Sequence, residues 1–123
     1  PAPVYSFDQE QVVARLNSIL EMELAGVVRY THYAMVIFGY NRIPIVSWLR
    51  AQANESMDHA TQAGELVTHL GEHPSLAIGP LLETHNHDIG AILRESLAHE
   101  RATLEVYQEL LDKVEGRSVM LEE

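Results

Sequence analysis

The chain has 123 residues, 46% of them hydrophobic and 21% charged, with a net charge of −10. This length suits a single domain with a buried core, which we place over residues 1–123, and the composition excludes a disordered chain. The acidic charge opposes binding to nucleic acid. The chain has no cysteine, which excludes disulfides, zinc–thiolate sites and iron–sulfur clusters. Any metal site must therefore use oxygen and imidazole ligands.

No apolar segment is long enough to cross a membrane. The run at residues 34–38 falls well below the roughly 20 residues that a spanning helix needs. No signal-peptide pattern opens the sequence. We therefore expect a soluble, cytoplasmic protein with no membrane partner.

Two antiparallel helices are predicted first, from apolar residues spaced three and four positions apart. Asp8 is a candidate N-cap for a helix over about residues 8–39. Pro44 suits the first turn of a second helix, over about residues 44–70, which Gly71 ends. The connection between them is short, so the second helix should run back along the first.

A long crossover and a third helix follow. The segment 71–80 contains two prolines and two glycines, and when extended it covers roughly 33 Å, close to the roughly 39 Å length of the second helix. A third helix is predicted over about residues 80–115, and Ser118 is a candidate N-cap for the start of a fourth. Three helices leave an apolar groove, which a missing fourth helix or a partner chain would cover. The third helix places four leucines on its predicted inward face: Leu93, Leu97, Leu104 and Leu111.

Polar residues interrupt the inward faces of all three helices near mid-height. They are Glu23 on the first helix, His59 on the second and Glu100 on the third. A buried carboxylate without a partner costs several kcal/mol, so it must meet a cation, a metal or a proton. No Lys or Arg falls on these faces, and oxygen with nitrogen ligands suits iron or manganese. The pattern is typical of di-iron carboxylate sites in helical bundles.

Each of these residues also has an ordinary structural interpretation. A single Glu on an apolar face is more often a boundary residue, and a lone core His is commonly a hydrogen-bonded structural group. Their joint occurrence on three successive helices favours a metal site. Tyr30 and Tyr107 are interpreted first as core aromatics and second as redox or hydrogen-bonding neighbours of the metal.

At these residues the chain resembles the bacterioferritins, the haem-containing branch of the ferritins, over essentially its whole length. The matching stretches are 16–24 with Tyr30, then 57–60, then 93–100. The resemblance implies an all-α, ferritin-like four-helix bundle with a long crossover between the second and third helices, its fourth helix missing or truncated in this chain. It also implies iron storage and detoxification, with Fe(II) oxidised by O2 or peroxide at an intrasubunit di-iron centre. Such a ferroxidase would form a homo-oligomeric shell of 24 subunits built from dimers.

The resemblance also implies roles for individual residues. Glu23 would be a terminal ligand, His59 the imidazole ligand and Glu100 a bridging carboxylate, with Tyr30 beside them in the catalytic set. Met57 falls where the family ligates haem across a subunit two-fold, which implies haem b as a second cofactor. An interface methionine with a packing role is the ordinary alternative.

Two departures from the family pattern leave other functions open. Ser56 stands where a second bridging Glu belongs, and Glu55, one residue earlier, could replace it if the helix is locally over- or under-wound. The second Glu-x-x-His pair, carried by the fourth helix in relatives, is not in this sequence. The alternatives are an assembly with an incomplete metal site and little ferroxidase activity, and a helical interaction module whose groove takes a partner helix.

The remaining histidines are expected outside the metal site. His85 and His87 resemble a metal tract but should point to different sides, as a solvated cluster. The others are expected on surfaces or subunit contacts: His32, His69, His73 and His99.

Overall fold

The chain is described by a computed structural model over residues 7–37, 39 and 42–114, and the regular elements in these ranges are all helices. Helix α1 spans Gln9–Val36, α2 spans Arg42–His69 and α3 spans Ile89–Val114. None of the three has an apolar stretch that would span a lipid bilayer. The predicted start of a fourth helix at residue 118 lies outside the described residues.

Helix α1 begins where the sequence predicts and ends slightly earlier. The side chain of Asp8 accepts a hydrogen bond from the backbone N–H of Gln11, at 3.2 Å, which confirms it as the N-cap. The helix ends at Val36, and Ile37 is already extended. The end predicted at Gly39 is three residues too late. Gly39 adopts a φ of +118°, which favours glycine, but it does so within the connection to α2.

Helix α2 ends in a hydrogen-bonded glycine cap. The N–H of Gly71 donates to the carbonyl of Thr68 at 2.9 Å, and the N–H of Glu72 donates to that of Val67 at 3.1 Å. This pair of bonds defines a Schellman motif, which needs a left-handed residue at its turn. Gly71 meets that need with a φ of +83°.

Helix α3 begins about nine residues later than the sequence predicts. Its N-cap is Asp88, whose side chain accepts from the N–H of Ala91 at 2.9 Å. Pro80, which we predicted near its start, instead lies in the crossover, where its carbonyl accepts from Arg29. A proline suits a first helical turn, but the cap is decided by the side chain that can accept from the free N–H groups.

The crossover runs along α1 towards its C-terminal end. Ser75 lies near the start of the crossover and donates from its hydroxyl to Glu21 at 2.7 Å. The N–H of Gly79 then donates to the backbone carbonyl of Glu21 at 2.8 Å. At the far end, His87 forms a hydrogen bond with the carbonyl of Val36 at 2.9 Å. The connection therefore returns the chain to the end of the bundle where α2 began, and α3 runs parallel to α2.

Two apolar clusters form the core, one at each end of the bundle. Leu16, Val67 and Leu110 represent the first, while Ile37, Leu49 and Ile92 represent the second. The buried polar residues lie between these clusters in sequence and along the helices: Glu23, Ser56, Ser96, His99 and Thr103. The middle layer of the bundle is thus polar but shielded from water at both ends.

The leucine face predicted to point inward on α3 is largely exposed in the described chain. Leu97 and Leu104 are 51% and 64% exposed. Helix α3 instead buries the adjacent face, which includes Ile92 and Leu110. The reason is that α1 is the principal neighbour of α3, so its buried face is turned towards α1. The leucines border the groove that a three-helix arrangement leaves open.

The contact between the crossover and α1 requires a glycine at position 79. An added Cβ there would lie 3.0 Å from the backbone oxygen of Glu21 and 3.2 Å from the Cα of Met22, neither of which can move aside alone. We expect Gly79→Ala to lower the free energy of unfolding by about 1–3 kcal/mol. Gly64→Ala is the control, because its nearest atoms would be 3.8 Å away and alanine favours a helix by up to about 1 kcal/mol. Denaturant unfolding of both variants checks this, and equal effects would contradict the proposed close approach.

Candidate metal centre

The carboxylate of Glu23 is the most deeply buried acidic group in the described chain. The residue is only 4% exposed, because it faces α2 and α3 from the middle of α1. Burial raises its pKa, and the nearby Glu100 raises it further. Hydrogen bonds from Tyr107 and His59 act in the opposite direction, as does the charge of His59. Glu23 is therefore a desolvated acid whose ionised form depends on neighbouring donors or cations.

Two side chains bind the same oxygen of Glu23. His59 Nδ1 from α2 lies 2.8 Å from Glu23 Oε2, and the Tyr107 hydroxyl from α3 donates to that oxygen at 2.9 Å. The His59 side chain is 42% exposed, so the imidazole stands at the rim of the buried site. One helix thus supplies the acid and the other two supply its partners.

Glu100 is held by a second tyrosine. Tyr30 is only 1% exposed, and its hydroxyl donates to Glu100 Oε1. The pKa of Tyr30 is raised, first by burial and then by its hydrogen bond to Glu100. The pKa of Tyr107 is raised by burial and by the charge of Glu23. Both phenols therefore stay protonated and act as donors.

The four predicted metal ligands do not form one cluster in the described chain. Glu23 and His59 are hydrogen-bonded, and Glu100 is close enough to influence the pKa of Glu23. Glu55 is exposed on α2, whereas Ser56 is 5% exposed and points inward. The expected replacement of the missing Glu by Glu55 is wrong in this geometry, because one residue along a helix turns the side chain by about 100°.

The described residues bring no three His, Asp or Glu side chains close enough together to hold a metal ion. The nearest approach is the pair formed by Glu23 and His59, since Glu100 is engaged by Tyr30. The kinds of donor present, carboxylate and imidazole, suit iron, and no Lys or Arg forms an ion pair with Glu23 among its described contacts. Ser56 is buried on α2 and has no carboxylate with which to bridge two ions.

His99 was expected on a surface or subunit contact, and this prediction is wrong. It is 7% exposed, and its Nε2 atom has no hydrogen-bond partner in the described chain. A Cβ added to Gly26 would lie 3.2 Å from that nitrogen and 2.9 Å from Ser56 Oγ, so the three helices meet closely here. The spacing of His99 from Ile92 by seven residues could have revealed its inward position.

The other histidines are placed at or near the surface. His32 is exposed and lies 3.2 Å from Glu83, and His85 is also exposed beside that carboxylate. The backbone N–H of His85 and both imidazoles keep the pKa of Glu83 low. His69 and His73 are exposed at the end of α2 and the start of the crossover.

Met57 lies away from the buried acids. Its side chain borders an open recess of about 430 Å³ between α1, α2 and the crossover. Leu20, Leu24 and Pro74 also line this recess, which gives it an apolar wall. Met57 is 45% exposed, so the residue is partly accessible from outside the chain.

Comparison with known proteins agrees with this architecture. A family model for the ferritin-like domain matches residues 13–118, and the chain therefore belongs to the ferritin-like domain family. The match confirms the all-α, ferritin-like fold class predicted from the sequence. No curated protein sequence matches the chain.

Two solved structures share the fold. One is a dodecameric thioferritin, the bacterioferritin-related protein from Bacteroides fragilis, which is 21% identical with a TM-score of 0.86 over 94% of this chain and 73% of that one. The other is a ferritin-like, diiron-carboxylate protein from Bacillus anthracis strain Ames, which is 20% identical with a TM-score of 0.82 over 89% of this chain and 77% of that one. At these identities the likeness establishes the fold.

Burial of His99 makes the stability of the fold depend on pH. Its pKa is lowered from 6.5, first by burial and then by Arg29, while Glu100 opposes the shift. The unfolded chain therefore takes up a proton that the folded chain does not, and stability is lost as the pH falls from 6.5 through the lower folded value.

We expect His99→Leu to remove this dependence in metal-free protein. Free energies of unfolding are measured with chelator between about pH 7 and pH 5. As the pH falls, stability should decrease less in the variant than in the unaltered protein, by at most about 1.4 kcal/mol per pH unit. Taking the difference between the two proteins cancels the titration of groups that do not interact with His99. A difference that stays constant with pH would contradict this role of His99.

Proposed function

We propose that this chain is an iron storage and detoxification protein of the cytoplasm that binds Fe(II) as a substrate and oxidises it. The observation that carries the proposal is the burial of Glu23 to 4% exposure, with Glu100 beside it and no Lys or Arg among its described partners. The buried Glu23 and the half-buried Glu100 repel each other when both are ionised, and a cation between them relieves that repulsion. The diiron-carboxylate relative from Bacillus anthracis supports iron as that cation.

The proposed chemistry assigns a role to each side chain at the site. Glu23, Glu100 and His59 would bind Fe(II), and O2 or peroxide would accept the electron that each Fe(II) loses on becoming Fe(III). Tyr30 orients Glu100 by a hydrogen bond from a buried phenol. The surrounding apolar clusters exclude water, which strengthens the attraction between the acids and a cation.

The proposal also concerns how many irons each subunit binds. The three proposed ligands would suit one iron, and a di-iron centre would need further donors because Ser56 stands where a bridging carboxylate belongs. We propose the di-iron centre implied by the bacterioferritin resemblance. An assembly with a mononuclear site and little ferroxidase activity is the alternative, and the inward position of Ser56 favours it.

We also propose that the chain forms a homo-oligomeric shell built from dimers. Large apolar side chains remain exposed in the described chain, including Leu76 at 96% and Ile43 at 77%, and such residues are typical of subunit contacts. The Bacteroides fragilis relative is dodecameric. The bacterioferritin resemblance implies 24 subunits, and native mass measurement distinguishes the two sizes.

A helical interaction module is the second candidate function. It is favoured by the partly exposed leucines of α3, which border an open groove: Leu93, Leu97, Leu104 and Leu111. In that case the buried acids would set the register of a partner helix and would not need iron. The iron titration below separates the two functions.

Anaerobic titration of the full chain with Fe(II), followed by air, tests the iron proposal. We expect binding to saturate at about two irons per subunit for a di-iron centre, or about one for a mononuclear site, followed by a rise in near-ultraviolet absorbance. Glu23→Ala with Glu100→Ala should abolish both signals, because it removes the buried acid and the half-buried acid beside it. Glu55→Ala is the matched control and should match the unaltered protein, because Glu55 is exposed. Equal binding and oxidation in the double variant would leave only the interaction module.

Haem b is a separate part of the proposal and has its own test. Met57 could ligate haem if a two-fold brought two copies of its apolar recess together. We expect added haem to give the absorption spectrum of a bis-thioether complex, and Met57→Ala to abolish it. Leu24→Ala, which trims the same recess without removing a sulfur, is the control. An identical spectrum in the Met57 variant would contradict haem ligation there.

A further inference from the structure

The ring of Tyr30 packs against a tryptophan on α2. Its centroid lies 6.5 Å from that of Trp48, and the two planes meet edge to face at 80°. This separation is within the range of direct aromatic contact. The other ring partner of Tyr30 in the described chain is His99, which is buried. Trp48 is 43% exposed, so of these rings it is the one that reaches the surface.

Tyr30 connects the proposed iron position to this exposed indole. Trp48 precedes His59 by eleven residues on α2, which is roughly 16 Å along the helix axis. The hydroxyl of Tyr30 donates to the proposed ligand Glu100, and its ring contacts Trp48. Because the rate of electron transfer falls steeply with distance, two short steps through an oxidisable ring are much faster than a single long one.

A site with ligands for one iron lacks an electron when peroxide is the oxidant. Peroxide takes up two electrons as its O–O bond breaks and two waters form, whereas one Fe(II) supplies a single electron on becoming Fe(III). The buried Ser56 has no carboxylate with which to hold a second iron. The second electron must therefore come from the protein, or the partly reduced oxidant is released as a hydroxyl radical.

We propose that Trp48 supplies the second electron of peroxide reduction, through Tyr30. The inference rests on the proposed iron-binding function and on a site that holds one iron. Tyr30 gives up an electron while its hydroxyl proton moves to Glu100, and the proton returns when Tyr30 takes an electron from Trp48. The indole then loses its N–H proton to water. In total, peroxide, Fe(II), the indole N–H and one proton give two waters, Fe(III) and a neutral indole radical.

The direction of transfer follows from how strongly oxidising such radicals are. A tyrosine or tryptophan ring loses an electron only to an oxidant as strong as partly reduced peroxide, and Fe(III) is too weak. Tyr30 and Trp48 therefore act while peroxide is consumed and not while stored iron is released. Their role is protective, because the oxidising power is delivered to an exposed ring and not to the buried core.

Trp48 is the single tryptophan of the chain, which allows a direct test. An equimolar amount of Fe(II) is bound anaerobically, peroxide is added in equal amount, and samples are frozen within milliseconds for electron paramagnetic resonance. We expect an organic radical whose signal narrows in protein that carries ring-deuterated tryptophan, together with a loss of indole fluorescence. The iron oxidised and the peroxide consumed should be equal in amount.

Tyr30→Phe tests the path between the site and the indole. It keeps the ring but removes the hydroxyl whose proton must leave when the ring is oxidised, so the tryptophan radical and the loss of fluorescence should both fall several-fold. Tyr33→Phe is the matched control, because Tyr33 is also buried on α1 but its hydroxyl accepts from Arg29 at 2.9 Å. It should leave both signals unchanged. The radical measurement on the unaltered protein does not depend on how either variant folds.

Met35 distinguishes this path from an oxidant that diffuses through solution. It is 72% exposed, more than Trp48, so a free hydroxyl radical would reach it at least as readily. Peptide mass analysis should show oxidation at Trp48, with Met35 no more oxidised than in iron-free protein treated with peroxide.

The outcomes separate this proposal from the iron function. If two Fe(II) are oxidised for each peroxide and Trp48 keeps its fluorescence, the role of Trp48 is overturned and the iron function stands. If Trp48 is oxidised equally in Tyr30→Phe, or together with Met35, a diffusing oxidant accounts for the damage and the proposal is overturned. If the unaltered protein binds no Fe(II), the proposed function fails and this role fails with it.

Discussion

The buried carboxylate of Glu23 is the constraint around which the middle of this protein is organised. An ionised acid at 4% exposure is unfavourable in an apolar interior, and its raised pKa reflects that cost. No Lys or Arg forms an ion pair with Glu23 among its described contacts. The chain surrounds the acid with a phenol and an imidazole, which both bind Oε2 and stabilise the carboxylate.

The antiparallel packing of α1 and α3 brings together side chains that are spaced seven residues apart on each helix. A glutamate and a tyrosine seven residues apart share a helix face, and this pattern occurs once on each of the two helices. Antiparallel packing then places each tyrosine opposite the other helix's acid. A parallel arrangement would bring acid against acid without an intervening donor. The long crossover along α1 sets the direction of α3. That direction therefore determines which tyrosine can donate to which acid.

The helix contacts also explain which part of α3 is left uncovered. The crossover occupies one side of α1 and α3 lies along another, so α3 buries residues such as His99 against α1. The leucines on the adjacent face, among them Leu97, border a groove. The rotation of α3 that buries His99 thus also exposes an apolar surface. The two features have one cause, which is the rotation of α3 about its own axis.

The sequence by itself determined the helical class, the cap at Asp8 and the inward position of Glu23, because these follow from spacing along single helices. Tertiary structure alone decided the rest. Whether Glu55 or Ser56 faces inward, whether His99 is buried and whether Tyr107 reaches Glu23 depend on how each helix is rotated about its axis. That rotation is set by packing against neighbouring helices, and a residue next to a predicted face can lie on either side of its boundary. Local periodicity identifies a face to within about one residue, whereas a hydrogen bond requires the atoms themselves to meet.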